Sequence, residues 1–109
     1  MITDEQMREE LRTAKPCTIV LLRSTARRKE AGADRIIWEH GRRNFELRAQ
    51  GALAIVCPVV DESNLSGVCI FTTNSEETRK IMDGDPGVEA GLLTYEIYPT
   101  KIFAGSGLP

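Results

Sequence analysis

Apolar and polar residues follow one another along this chain in blocks that predict four strands. Each block is rich in apolar and β-branched residues and is bounded by polar or turn-forming residues. The predicted strands cover residues 17–23, 52–60, 67–73 and 91–98. The first three are apolar at consecutive positions, which is typical of strands covered on both faces, whereas the fourth alternates in part. Pro58 has no N–H to donate, so the second strand is expected to lie at a sheet edge or to end there.

Two segments between these strands have the periodicity of helices. The longer covers residues 35–50, with Asp34 as its predicted N-cap and Gly51 as its stop signal. The shorter covers residues 74–82 and opens with Asn74, followed three residues later by Glu77, which is the spacing of a capping box. Both segments are therefore predicted to be crossover helices.

A further helix is predicted before the first strand. Thr3 and Gln6 have capping-box spacing, and the apolar residues Met7, Leu11 and Ala14 fall on one narrow stripe. Pro16 prevents the helix from continuing. We expect residues 1–16 to contain an accessory helix that packs by this stripe.

The order of elements after the accessory helix is β-α-β-β-α-β, which predicts a ferredoxin-like α+β fold with a four-stranded antiparallel sheet. A chain of 109 residues has room for one core, so we expect a single domain with its core over residues 17–103 and a tail over residues 104–109. Two crossover helices cover only one face of such a sheet. Because the first three strands are apolar on both faces, we expect a second copy of the chain to cover the other face in a symmetric homodimer.

Composition narrows the classes of function. A net charge of −2 provides no basic surface for nucleic acid, and no apolar run approaches the ~20 residues of a membrane span. The polar N-terminus lacks the apolar segment of a secretory signal, so a cytoplasmic protein is expected. No glycine-rich phosphate loop is present, which argues against a nucleotide, and we expect no organic cofactor. One histidine and three scattered cysteines do not have the paired spacing of a metal site.

The only histidine, His40, is the first chemical candidate. At ~100° per residue, His40 and Asn44 fall inside the apolar arc of the longer helix, so both side chains are expected to be covered and to need hydrogen-bond partners. Imidazole is the side chain that titrates near neutral pH, which makes His40 a candidate proton shuttle. A structural role is the alternative, because single helical histidines commonly have one.

Asp85 is the second candidate, in the turn over residues 84–91. An aspartate before a proline commonly accepts hydrogen bonds from the next backbone amides, and that role alone would explain it. A carboxylate beside an imidazole would also fix its tautomer and favour the imidazolium. We therefore hypothesise that His40 and Asp85 form a catalytic pair, with Asp85 orienting the histidine.

Three further residues are candidates for binding a substrate. Arg23, at the end of the first strand, is able to hold an anionic group, or is an ordinary surface arginine. Asn44 lies one helical turn from His40. Cys57 is expected with the other two cysteines to be a reduced thiol packed in a strand, with a reactive thiol as the alternative.

The chain resembles the YCII-related family, whose members are small dimeric α/β-barrel proteins similar in fold to muconolactone isomerases. The resemblance rests on His40 early in the longer helix, on residues 50–53 between helix and strand, on the Asp-Pro-x-Val-Glu-Ala-Gly run at 85–91, and on Tyr98-Pro99 after the last strand. It covers residues 17–103. It implies a His and Asp pair lining a pocket, here His40 and Asp85. The family commonly has Gly-Pro where this chain has Cys57-Pro58, so a thiol is expected to narrow the pocket or to add a nucleophile.

Three functions follow from these expectations. The first is a cofactor-independent enzyme of lyase or isomerase type, in which His40 and Asp85 transfer protons on a small oxygenated organic compound. The resemblance implies such substrates, because a few family members act on small oxygenated ring compounds and one is a dehydrochlorinase. The second is a non-catalytic dimeric module that binds a small ligand or a partner protein. The third is a structural interaction domain, which would have no enclosed pocket.

Overall fold

The computed structural model describes residues 1–109 and confirms the predicted order of elements. One accessory helix precedes a four-stranded sheet and its helices. The elements are α1 (Asp4–Arg12), β1 (Lys15–Ser24), α2 (Ala33–Ala49), β2 (Leu53–Pro58), β3 (Leu65–Phe71), α3 (Ser75–Asp83), α4 (Pro86–Glu89) and β4 (Leu93–Ile102), with a single 3₁₀ turn at Ala26–Lys29. The strands lie in the order β2-β3-β1-β4, and every pair is antiparallel. This is the ferredoxin-like arrangement.

The boundaries agree with the sequence signals at most positions. Asn74 caps α3 by accepting from the Glu77 amide, and β2 is an edge strand that ends at Pro58. The predicted N-cap of α2 is wrong, because α2 begins at Ala33 after Gly32, which has a left-handed backbone and makes no side-chain cap. Asp34 lies instead in the first turn of α2, where its carboxylate pairs with Arg28 at 2.8 Å. A negative charge in the first turn still favours the helix.

The two faces of the sheet differ in their cover. Side chains alternate along each strand, so those of Val20 and Leu22 lie on the face that carries α2 and α3 and are almost fully buried. Their neighbours Ile19 and Leu21 lie on the other face and are half-buried. No helix of the chain covers this second face, which we call the helix-free face.

The core lies between the sheet and the helices. Phe71, Leu53 and Leu93 are its largest fully buried apolar side chains, and Met82 of α3 packs with them. Burial of this kind contributes about 25 cal/mol per Å² of apolar surface removed from water. It holds α2 and the turn before β4 in a fixed relation, which is what positions the candidate site.

The accessory helix α1 has the predicted cap but not the predicted packing. Thr3 and Gln6 form a complete capping box, yet no residue of α1 is buried. Met7 and Leu11 of the apolar stripe are both exposed. The expectation that this helix packs by one side is therefore wrong for the single chain.

The longest helix, α2, has 17 residues. None of the helices has both the length and the apolar composition that crossing a membrane would require.

Candidate functional site

Helix α2 carries His40 toward the interior. The apolar arc of α2 packs against β2, and His40 lies within that arc, so its side chain is only 12% exposed. Asn44 lies one turn further along and is also partly buried. The helical periodicity that places both residues on one face is the same periodicity that buries Leu47.

Asp85 is held by the start of α4. It is the N-cap of that short helix, and Pro86 occupies the first helical position, where its lack of an N–H costs nothing. The Oδ2 atom of Asp85 accepts hydrogen bonds from the backbone N–H groups of Gly87 at 2.9 Å and Val88 at 3.2 Å. Capping therefore uses one carboxylate oxygen and leaves the other, Oδ1, for a different partner.

A glycine is required directly beside this carboxylate. A Cβ atom at Gly87 would lie 2.8 Å from Leu93 Cδ1 and 3.1 Å from Asp85 Oδ2. Leu93 is buried in the core and has little room to move. The run Asp85-Pro86-Gly87 thus combines a cap, a helix start and a close approach of backbone to core.

The structure brings His40 and Asp85 into direct contact. His40 Nδ1 lies 2.7 Å from Asp85 Oδ1, and Asp85 is only 1% exposed. A carboxylate that accepts this bond fixes the proton of the neutral imidazole on Nδ1. His40 Nε2 is then the acceptor atom of the ring, and the amide Nδ2 of Asn44 donates to it at 3.3 Å.

Arg43 adds a positive charge on the other side of Asp85. Its Nη1 atom lies 3.9 Å from Asp85 Oδ1, which is too long for a hydrogen bond but short enough for a strong charge interaction in a buried site. The same Nη1 is buried and has no hydrogen-bond partner. The groups in contact with Asp85 are thus two backbone N–H donors, the imidazole of His40 and the guanidinium of Arg43.

A cavity of about 350 Å³ is lined by His40 and Asn44 but not by Asp85. It lies between α2 and strands β1, β2 and β3. Its walls are mostly apolar, and its polar groups come chiefly from α2. The lining residues are Leu22, Ile37, His40, Gly41, Asn44, Phe45, Arg48, Val56, Cys57, Pro58, Ser66, Gly67 and Cys69. This volume suits a small organic molecule.

The two thiols along the cavity differ. Cys57 pairs with Val68, and strand alternation places its side chain on the helix-free face with Val68, where it is exposed. Cys69 lies on the helix-covered face, and burial, with smaller contributions from the charges of Cys57 and Asp85, raises the pKa of its thiol to about 12. A thiol that stays protonated at neutral pH is a poor nucleophile. Burial thus disfavours the thiolate of Cys69, whereas the thiol of Cys57, which also lines the cavity, is exposed.

Arg23 lies away from the cavity. Its guanidinium pairs with Glu96 at 2.5 Å on the helix-free face, and Tyr98 donates to the same carboxylate at 2.6 Å. These two hydrogen bonds, Tyr98 first, lower the pKa of Glu96. Within one chain, then, the structure brings His40, Asp85 and Asn44 together but not Arg23.

Arg48 is a cavity residue that our reading of the sequence missed. It lies at the mouth of the cavity, with its guanidinium over the ring of Phe45 at 5.7 Å from the centroid. The spacing His40, Asn44, Arg48, each four residues from the last, was a signal that could have found it. Arg43 had no such signal, because its relation to Asp85 depends on where the turn before β4 lies.

No three histidine, cysteine, aspartate or glutamate side chains converge on one point to form a metal cage. No known family model and no curated protein matches the chain in sequence. The YCII-related resemblance therefore stays a prediction from its motifs. What the structure establishes is a ferredoxin-like α+β fold with a four-stranded antiparallel sheet.

Proposed function

We propose that this protein is a small enzyme that transfers protons on a small oxygenated organic compound, with His40 as general base and acid. One observation carries the proposal: His40 has its Nδ1 committed to a buried carboxylate and its Nε2 turned to the cavity side. Histidine–carboxylate pairs of this kind recur where a base must accept a proton in a defined direction. We include in the proposal membership of the YCII-related family and a cytoplasmic setting, in which three free thiols stay reduced.

The geometry suggests how each residue would act. Nε2 would remove a proton from a carbon beside a carbonyl group, and the electron pair of that C–H bond would pass into an enolate. Asp85 would stabilise the imidazolium that forms, and the amide of Asn44, released from Nε2, would donate to the substrate oxygen. Return of the proton to another carbon gives an isomerase. Departure of a leaving group from the neighbouring carbon, with its bonding electrons, gives a lyase.

The cavity also limits the substrate. Leu22, Ile37 and Val56 supply apolar walls, whereas Arg48 supplies a cation at the mouth. A compound that fits would be small, largely apolar and either carbonyl-bearing or anionic at one end. The family resemblance implies the same class, small oxygenated rings.

One observation favours a second function, a non-catalytic module that binds a small ligand. Asn44 already occupies Nε2 of His40, so the pair is able to present a polar surface without moving a proton. A purely structural domain is less well supported, because such a domain has no need of a cavity beside its only histidine.

The test is proton exchange with solvent, because it requires no knowledge of the final product. The protein is incubated in D₂O with small cyclic ketones, unsaturated γ-lactones and chlorinated cyclic enones, and loss of the C–H signal beside the carbonyl is followed by NMR. We expect the protein to accelerate exchange of at least one compound and His40→Asn to abolish the acceleration. Glu39→Gln, on the same helix but outside the cavity, is the matched control.

The outcomes separate the two functions. Exchange that persists in His40→Asn would contradict the proposed enzyme. Ligand-observed NMR that detects binding of these compounds, with no exchange of any of them, would instead favour the binding module.

We also propose that the protein is a homodimer joined through the helix-free face. Ile19, Leu21, Val68 and Ile70 form an apolar surface there that the chain itself does not cover. Light scattering at micromolar concentration should give twice the chain mass for the wild type and the chain mass for Ile70→Lys. Val60→Lys, at an exposed position outside the sheet, should stay dimeric. A wild type with the mass of one chain would contradict the dimer.

A further inference from the structure

The cavity beside His40 has an unbalanced set of charges. Arg48 is the one arginine or lysine among its lining residues, and no aspartate or glutamate lines it. Asp85, the partner of His40, does not line the cavity, and both of its oxygens are already in contact with protein groups. In a cleft with apolar walls and charges of one sign, the walls concentrate the field of those charges. The charge of a ligand is therefore a property that this cavity is able to select.

Arg48 has no acidic partner within the chain. It takes part in none of the ion pairs of the structure. The helical positions three and four residues before it hold Phe45 and Asn44, neither of which is acidic. Arg42, on the same helix, has Glu39 three residues before it and pairs with that carboxylate at 3.0 Å. The guanidinium of Arg48 is thus able to pair with an anion from outside the chain.

The guanidinium of Arg48 leans back along α2 in the direction of His40. Its central carbon lies 5.7 Å from the centroid of the Phe45 ring, and Phe45 precedes Arg48 by three residues. Helical side chains slope toward the N-terminus in this way, so Arg48 continues the stripe that carries His40 and Asn44. Stacking on a ring restrains the plane of a guanidinium and leaves the N–H groups at its edge able to donate.

The other arginines considered for the site have their charges engaged elsewhere. Arg23, the residue that the sequence offered for holding an anionic group, pairs with Glu96 on the helix-free face. Arg43 lies against Asp85 and does not line the cavity. Arg48 both lines the cavity and lacks a carboxylate partner.

We propose that Arg48 binds the carboxylate of a small organic acid, so that the substrates of this cavity are monocarboxylates rather than neutral compounds. The word substrate rests on the proposed function, whereas the binding of the acid does not. A guanidinium pairs with a carboxylate through two parallel hydrogen bonds, which a neutral amide does not reproduce. Arg48 follows His40 by eight residues, about 12 Å along the axis at 1.5 Å per residue. The carboxylate would therefore lie at one end of the ligand and its carbonyl group near His40 and Asn44.

The test compares the affinities of acids and their amides, which have the same shape but differ in charge. The pairs are benzoate and benzamide, cyclohexanecarboxylate and its amide, and levulinate and its amide, and dissociation constants come from ligand-observed NMR titration. For at least one pair, the wild type should bind the carboxylate about tenfold more tightly than the amide, and added salt should reduce this preference.

Substitutions at two positions of α2 assign the preference to one arginine. Arg48→Met, which keeps the length of the side chain, should abolish the preference and leave the affinity for the amide little changed, which also shows that the cavity is intact. Arg48→Lys keeps the charge but not the planar fork, so part of the preference should remain. Arg42→Met removes the same charge from outside the cavity and is the matched control, which should bind as the wild type does.

Equal affinities within every pair for the wild type would overturn the inference, as would a preference that survives Arg48→Met or a wild type that binds none of the acids. The result is independent of turnover. A carboxylate preference that is lost in Arg48→Met, without proton exchange in any compound, would contradict the proposed enzyme and support the role of Arg48. Proton exchange in neutral ketones without any carboxylate preference would support the enzyme and overturn the role of Arg48.

Discussion

The two faces of the β-sheet are built from the same strands but have different surroundings. Val20 and Leu22 face the helices and are 0% and 3% exposed, whereas the adjacent Ile19 and Leu21 face the other way and are half-buried. One face is closed by the chain itself, and the other has an apolar surface with no cover from its own chain. Alternation along a strand is thus enough to separate the core from a surface suited to a second copy.

The same difference applies to the polar clusters of the two faces. Asp85 on the covered side is 1% exposed, and both its oxygens are bound by protein donors. Glu96 on the helix-free side also has two partners, Arg23 and Tyr98, but its side chain is 39% exposed. Removing a partner from a buried carboxylate leaves an unsatisfied charge, whereas water replaces a lost partner at the surface. The hydrogen bonds of Asp85 should therefore contribute more to the stability of the fold than the similar hydrogen bonds of Glu96.

The largest predicted loss of stability is at Leu22, which is adjacent to Leu21 in β1 but points to the opposite face of the sheet. Leu22→Ala should lower the free energy of unfolding by about 2–5 kcal/mol, because it leaves a cavity in a packed core. Leu21→Ala should cost less in dilute solution but should weaken the proposed dimer. Urea denaturation at two protein concentrations measures both. Equal losses in the free energy of unfolding at Leu21 and Leu22 would contradict the difference in cover between the two faces of the sheet.

Asp85→Ala should follow, with a loss of about 2–4 kcal/mol in the free energy of unfolding, because it removes the N-cap of α4 and the partner of the partly buried His40. Asp85→Asn should lose less, since its amide oxygen is still able to cap the helix. Asp83→Asn, two residues away at an exposed carboxylate, is the matched control and should change unfolding little. A loss at Asp83 as large as that at Asp85 would contradict the importance of burial.

Two glycine substitutions should have opposite signs. Gly87→Ala should destabilise by about 1–3 kcal/mol, because its methyl group would overlap Leu93 and crowd the Asp85 carboxylate. Gly41→Ala should stabilise α2 by about 0.5–1 kcal/mol, since its methyl group enters open space. Thermal unfolding of both variants at low protein concentration checks the signs. A stabilising Gly87→Ala would contradict the close packing of Leu93 and Asp85 against Gly87.

The smallest predicted effect is the contribution of tyrosine ionisation to stability at high pH. Tyr95 and Tyr98 lie on opposite faces of the sheet. Burial, and then the hydrogen bond to Asp83, raises the pKa of Tyr95 to about 12. The hydrogen bond to Glu96 raises the pKa of Tyr98, while nearby Arg23 opposes that shift. A raised phenol pKa adds stability below the unfolded-state value near 10 that is lost as the pH climbs through the folded-state value.

Phenolate absorbance should therefore show Tyr95 ionising last, and Tyr95→Phe should remove the final step. Tyr98→Phe is the control and should leave that step in place. The reverse assignment would contradict the difference in burial between the two residues.

Much of the fold was predictable from local signals. The capping residues Thr3 and Asn74, the edge strand ending at Pro58 and the order of helices and strands along the chain follow from patterns within a few residues of each element. The N-cap of α2 was not, because Asp34 has the right side chain but Gly32 has the backbone freedom to begin the helix two residues earlier. The packing of α1 was wrong because an apolar stripe indicates a face to bury without indicating the partner.

The candidate site was predictable only in part. The helical phase of His40 and Asn44 indicated that both would be covered, and the family resemblance indicated Asp85 as the partner. The placement of Arg23 depends on which face an odd-numbered residue of β1 occupies, and the role of Arg43 depends on a contact across 42 residues of sequence. Contacts of that range follow from tertiary packing rather than from local pattern.

The direct test of the His40–Asp85 pair is nitrogen NMR of the imidazole, which is unambiguous because the chain has one histidine. With ¹⁵N-labelled histidine, the neutral ring should carry its proton on Nδ1, with that proton hydrogen-bonded to Asp85 and protected from solvent. The protection should be lost in Asp85→Asn. A neutral His40 protonated on Nε2, with a spectrum unchanged by Asp85→Asn, would contradict the pair and the proposed proton transfer with it.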